Sequence, residues 1–259
     1  MDLKLDGKVA MVAAGSKGIG RATALGLSEE GATVSICARG QKALAETVND
    51  CPGPAMGVEA DVTEHSDIKT FVKDTVEAYG GIDILVNNAG GPPSGGFQDM
   101  EPDKFRDALE LNLMSTINLT KEALPHLKQQ EWGRIITVTS VSVKQPLGDL
   151  VLSNTARSGA TAALKTLSNE VADENITVNC VLPGLTATDR MKELTEDQAE
   201  RQDISVEQAR EQTVSNVPMD RWADPGEIAD VAVFLASERA SFVTGTNIQV
   251  DGGFISNLL

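Results

Sequence analysis

The chain holds one tyrosine, two histidines and three cysteines among 259 residues, and aromatic side chains make up only 3% of it. Two histidines argue against a histidine-based nucleophilic triad. His65 precedes an acidic amphipathic stretch as a cap-region residue, and His126 sits late in a helical one, where a cation suits the dipole. Cys37, Cys51 and Cys180 form no CxxC pair, so neither a disulfide framework nor a zinc site is indicated and no metal is expected. Cations are scarce too. Lys and Arg total 22 against 38 Asp and Glu, a formal net charge of −16. Such a field repels phosphate backbones, so nucleic acid is not expected as a partner. No apolar run approaches the ~20 residues of a membrane span. The opening MDLKLDGKVAMVAAG breaks its short apolar run at Gly15, unlike a signal peptide. No membrane association is expected, and a reducing cytoplasm is the expected compartment.

Short apolar runs alternate with longer amphipathic segments. Lys8–Ala14, Thr33–Ala38, Ala55–Ala60, Ile82–Asn87, Arg134–Ser140, Thr177–Leu182 and Asn247–Val250 read as strands. Between them, Ile19–Glu30, Gln41–Asp50, His65–Tyr79, Pro102–Gln129, Leu152–Ala172 and Pro225–Ser237 read as helices. Strands separated by helices imply right-handed crossovers. The expected fold is α/β, a doubly wound parallel sheet of about seven strands with helices on both faces. Without a linker or repeat, residues 1–259 are expected to form one domain. Trp132 and Trp222 are expected to pack at strand and helix entrances.

Two segments interrupt the rhythm. Gly90–Gly96, read GGPPSGG, suits neither helix nor strand and reads as a rigid loop at a strand's carboxyl end. Thr186–Asn216 is polar, with a weak helical pattern, and follows another such end, where ligands bind in open α/β sheets. A mobile lid is expected there; the alternative is a surface excursion with no ligand contact.

The first strand runs into AAGSKGIG. Gly15, Gly18 and Gly20, with Ser16, Lys17 and Ile19 between them, lie between a strand and a helix. Glycine there lets the turn close and the backbone approach a pyrophosphate at the helix N-terminus, so a Rossmann-type dinucleotide site is expected. The second strand ends in CARGQK, without the acid that usually holds a ribose 2′-hydroxyl. Arg39 is positioned to meet a 2′-phosphate, helped by Lys17. NADP(H) is therefore expected ahead of NAD(H), the alternative being two solvated surface cations.

With these motifs in order, the chain resembles the short-chain dehydrogenase/reductases over essentially its whole length, most closely the group that includes 3-oxoacyl-acyl-carrier-protein reductases. AAGSKGIG is similar to that family's TGxxxGxG, with Ala13 and Ala14 in place of its Thr and first Gly. Asp61-Val62 matches the acidic pair near the adenine, and Asn87-Asn88-Ala89-Gly90 is the NNAG motif intact. Asn112 falls on the catalytic asparagine, with a helix-kinking polar residue as its alternative role. Pro183-Gly184, followed by Thr186 and Thr188, matches the segment at the nicotinamide end, and RWADPGEIADVAVFLAS and FVTGTNIQVDGG match the C-terminal helix and last strand. The resemblance implies a small-molecule carbonyl or alcohol substrate. It also implies a homotetramer or homodimer, with the helices near Pro102–Gln129 and Leu152–Ala172 pairing across one interface.

The chemistry departs from the pattern. In the family a serine is followed 13 positions later by tyrosine and four after that by lysine; counting from Ser140 gives Ser153 and Arg157. The one tyrosine, Tyr79, lies at the end of the helix before the fourth strand. A serine hydroxyl is a poor general acid, and an arginine keeps a positive charge that can hold ribose hydroxyls without relaying a proton. Three readings remain open. A water held by Ser140, Ser153 and Arg157, or a substrate group, or Lys144 or Asp149 from the adjacent loop, supplies the proton. Alternatively the tyrosine's volume has gone to a bulkier substrate and other chemistry, or the protein is a catalytically silent NADP(H)-binding sensor or scaffold. Ser153 also suits a plain helix start, since serine favours N-caps.

Overall fold

The structure, a computed structural model, describes residues 1–257. Seven strands form one sheet in the order β3-β2-β1-β4-β5-β6-β7, with every pairing parallel. They are β1 (Val9–Val12), β2 (Thr33–Ala38), β3 (Ala55–Glu59), β4 (Ile84–Asn87), β5 (Gly133–Val138), β6 (Ile176–Pro183) and β7 (Asn247–Val250). The central strands are near-continuous apolar runs because both their faces are covered. In β1, Ala10 and Val12 pack with α1 (Gly18–Glu29), α2 (Gln41–Asp50) and α9 (Pro225–Leu235). Met11 faces the other way, with α3 (His65–Tyr79), α5 (Ser115–Gln129) and α6 (Val151–Glu170). Phe71, Ile68, Leu119 and Leu127 are fully buried on that second face, each stabilising the fold by roughly 1.5–3 kcal/mol.

The strand order reverses between β1 and β4, which opens a crevice at their carboxyl ends. Asn88, just past β4, closes the back of it: its Nδ2 donates to the carbonyls of Ala13 and Ala14 at 3.3 and 3.2 Å.

Two expectations change. Pro102–Gln129 is not one helix but α4 (Pro102–Leu109), a π-helical turn over Glu110–Met114, and α5. The hydroxyls of Ser115 and Thr116 donate to the carbonyls of Leu111 and Asn112 four residues back, at 2.5 and 3.0 Å. Asn112 Nδ2 is held by Gly90 O at 2.9 Å. Back-bonding hydroxyls bend a helix, and the Asn112 tether fixes where the extra residue bulges. The segment 186–216 holds two helices, α7 (Asp189–Gln202) and α8 (Val206–Ser215). Its periodicity is faint because only Met191, Thr195 and Ala199 on α7 and Ala209 on α8 are buried. Thr188 Oγ1 caps α7 by accepting from Met191 N at 3.3 Å, and Ser205 with Gln208 forms a capping box on α8.

Candidate active site

A cleft of about 730 Å³ lies along the carboxyl ends of the strands. Its floor at one end is the glycine turn. Gly15 cannot carry a side chain, since a Cβ would meet Ile36 Cγ2 at 2.6 Å, and one on Gly20 would meet Ala14 O and Asn88 Nδ2 at 2.5 Å. Gly18, at φ +53, is in the left-handed region. Ala14, in the same region at φ +47, lacks the freedom of glycine there. The Lys17 side chain does not cap α1, and the amides of Ser16 through Gly20 meet no acceptor among the described residues. A row of unanswered N–H groups at a helix N-terminus is a receptor for an anionic oxygen. The turn therefore fits a dinucleotide pyrophosphate.

Beyond β2, Arg39 extends into solvent, 80% exposed, with Nη1 3.8 Å from Asp61 Oδ2. Burial pulls the Asp61 carboxyl up, but the Thr63 amide and hydroxyl at 3.0 and 2.8 Å, with Arg39 behind them, hold it below the usual carboxylate range. Val62, beside it, is buried against the core. Lys17 Nζ lies 3.3 Å from Asp189 Oδ2 on α7, so this exposed pair links the glycine turn to the 186–216 segment. Thr188 Cγ2 sits 3.2 Å from where a Gly18 Cβ would be.

At the other end stand Ser140, Ser153 and Arg157. Ser140 ends the extended segment after β5, and its Oγ accepts from Ser142 N at 3.1 Å. Ser153 is 8% exposed and lies in the first turn of α6. It is not the N-cap, a place taken by Leu150; its Oγ accepts from Arg157 Nε at 3.1 Å. Arg157 Nη1 donates to Val138 O and Thr139 O at 3.0 and 3.2 Å, and Nη2 to Gly90 O at 3.4 Å. Burial of the guanidinium, with the Arg190 charge added, lowers it to about 10, so it stays charged at neutral pH. Each serine oxygen accepts from a fixed N–H, which leaves each hydroxyl proton free to donate into the cleft.

Ser16, Lys17, Gly18, Ile19, Arg39, Asp61, Val62, Asn88, Ala89, Gly90, Pro183, Gly184, Thr186 and Thr188 line the cleft with Ser140, Ser153 and Arg157. Gly15 and Gly20 lie behind it as packing glycines. Asn112 stays outside the lining: its Oδ1 is buried without a partner, while its Nδ2 supports the Gly90 carbonyl that Arg157 also uses. Lys144 and Asp149 turn away, Lys144 Nζ to Gln249 Oε1 at 2.8 Å and Asp149 to Arg201 at 3.6 Å. No phenol, imidazole or thiol lines the cleft among the described residues. Tyr79 ends α3, outside this lining. Sequence reading missed Arg190, Met191 and Leu194, which α7 adds to the wall; the signal was the Met191, Thr195, Ala199 spacing, too short of large apolar residues to stand out.

Among the described residues no group of three His, Cys, Asp or Glu is placed to hold a metal, and no helix is long and apolar enough to cross a membrane.

Residues 13–255 match the family model described as enoyl-(acyl carrier protein) reductase. The 3-oxoacyl-acyl-carrier-protein reductase of Vibrio harveyi is 36% identical over 253 residues, 97% of this chain and 98% of that protein. The L-sorbose reductase of Gluconobacter frateurii, solved with NADPH and L-sorbose, superposes with a TM-score of 0.93 at 31% identity over the whole of both chains. Actinorhodin polyketide ketoreductase, solved with NADPH, gives 0.92 at 31% identity over 95% of this chain and 97% of its own. The glycine turn at a β1/β4 crevice, the seven-stranded order and these end-to-end likenesses agree, and the chain belongs to the short-chain dehydrogenase/reductase family.

Proposed function

We propose that this protein is an NADP(H)-dependent oxidoreductase that interconverts a carbonyl and an alcohol on a small-molecule or acyl substrate, with Ser153 and Arg157 where its relatives' pattern has tyrosine and lysine. The observation that carries the reading is the row of acceptor-less amides from Ser16 to Gly20, opening on the same cleft as the two serine hydroxyls. Relatives solved with NADPH, and the arginine in place of an acid at the end of β2, support the choice of phosphate-bearing dinucleotide. Bound NADPH would supply the hydride.

In this reading the Ser140 and Ser153 hydroxyls donate hydrogen bonds to the substrate oxygen and Arg157 stabilises the charge that develops there. Proton delivery falls to water, because no side chain in the lining offers a neutral acid near physiological pH. Asn112 acts as a positioning residue, holding Gly90 and through it the guanidinium. Residues 1–259 act as one domain, and the α7–α8 segment covers the substrate end as a lid. Phe97, 73% exposed and edge-on to Phe105 at 5.8 Å, supports burial of that face in a homotetramer or homodimer.

A second reading, a silent NADP(H)-binding sensor, is favoured by one observation: Arg157 spends its donors on main-chain carbonyls and Ser153, a self-contained arrangement. Fluorescence titration with NADPH and NADH tests the shared part of both readings. Tighter binding of NADPH is expected; binding of neither nucleotide would refute both.

A further inference from the structure

Two arginines face the substrate end of the cleft with little to neutralise them. Among the described residues all the partners of Arg157 are neutral, three carbonyls and a hydroxyl. Arg190, from α7, lies along the same loop: its Nη2 donates to Pro92 O, two residues on from the Gly90 carbonyl that Arg157 holds. Gly91 makes this approach workable, since a Cβ there would meet Arg190 Nε at 2.8 Å. Arg190 Nη1 reaches Glu193 Oε2 at 3.4 Å, which leaves Nε and one proton on each terminal nitrogen without an acceptor among the described residues. The cleft that holds the pair is also lined by the apolar Leu147, Leu150, Leu185, Met191, Leu194 and Phe254. In a chain of net charge −16, Arg190 has a single carboxylate partner among the described residues and Arg157 has none.

We infer that the substrate is a small oxo acid, whose carboxylate is taken by the free edge of the Arg190 guanidinium, with the Arg157 charge behind it. The inference rests on the reading of this cleft as a carbonyl-reducing site. Glu193 is the built-in stand-in. Its side chain is 63% exposed, so it can turn to solvent when a substrate carboxylate arrives. A planar fork in a partly dry site binds a carboxylate through two charge-assisted hydrogen bonds, whereas a lysine offers a point charge. The Arg157 guanidinium, lowered by burial and by the Arg190 charge, gains from the same anion.

The test is calorimetry with acetoacetate and its neutral isostere acetoacetamide, with and without NADP⁺. The wild type should bind the acid at least about tenfold more tightly than the amide. Arg190→Gln should erase that preference, and Arg190→Lys should retain only part of it, while NADPH affinity in both variants stays within about twofold. Equal affinity for acid and amide in the wild type would overturn the inference, as would a Gln variant that weakens both ligands alike or weakens NADPH instead. The NADPH titration reads the cofactor assignment separately. A failed cofactor site therefore leaves the acid preference of the free protein still measurable.

Discussion

Arg157 Nε donates to Ser153 Oγ at 3.1 Å, one turn along the same face of α6, so the pair forms a unit that no phenol or amine enters. In the proposed function its two members would divide the tasks of oxyanion stabilisation, a free hydroxyl proton from one and a fixed positive charge from the other. Neither is an acid matched to neutral pH. If this pair replaces a tyrosine and lysine within an otherwise intact site, Ser153→Tyr with Arg157→Lys should speed NADPH-dependent reduction of a simple ketone or a 3-oxoacyl thioester. A positioned acid contributes about 10²–10⁴-fold, so a gain of at least tenfold is expected in steady-state assays. An unchanged rate would show that the surrounding pocket has moved to a different substrate geometry.

Ala14 sits at φ +47, directly before the glycine turn. A left-handed conformation costs an alanine about 1–2 kcal/mol, whereas glycine's extra freedom in the unfolded chain costs about 0.4–1 kcal/mol. The first term is larger. Ala14→Gly should therefore stabilise the protein by about 0.5–1 kcal/mol, read from the midpoint of urea unfolding at constant slope. A loss of stability would mean that the alanine methyl packs well enough to outweigh its strain.

Most of the frame was legible because it is written in local signals. The strands are apolar runs bounded by breakers, and each structural strand falls within about two residues of its expected ends. The turn residues line up because glycine positions carry steric meaning that a sequence displays directly. The π-turn at Glu110–Met114 was legible only in part: Asn112 suits a helix-kinking polar residue, but its tether is a carbonyl 22 residues away. Helices α7 and α8 were hidden by their shallow burial, a Met, a Thr and two Ala facing inward. The orientation of Lys144 depends on Gln249, 105 positions on, a pairing that only the closed sheet creates.

Arg39 stands just past the end of β2, and among the described residues its only carboxylate contact within 4 Å is the 3.8 Å approach to Asp61. Arg39→Asp should weaken NADPH at least tenfold while changing NADH by less than about threefold, since the lost interaction is charge-assisted and specific to the phosphate. Equal losses for both nucleotides would contradict the 2′-phosphate assignment.

Glu227 gives a pH-dependent handle far from the cleft. The Arg221 fork, donating to both its oxygens at 2.6 and 2.7 Å, and then the Asp224 amide, hold its carboxyl down to about 2. A depressed carboxyl stabilises the fold above its unfolded pKa of ~4.3, and that contribution disappears as pH falls towards 2. Glu227→Gln should be less stable than the wild type at pH 6, with the two unfolding curves converging near pH 2. The gap should be small because the pair is exposed. A gap that persists at pH 2 would assign the effect to the capping box that Asp224 and Glu227 form at the start of α9.

The most direct test of the account is NADPH consumption by the wild-type protein against a panel of small oxo acids, simple ketones and 3-oxoacyl thioesters. Turnover on at least one of them is expected, with NADPH strongly preferred over NADH. Tight NADPH binding with no turnover anywhere on the panel would contradict it and leave the silent, cofactor-binding protein in its place.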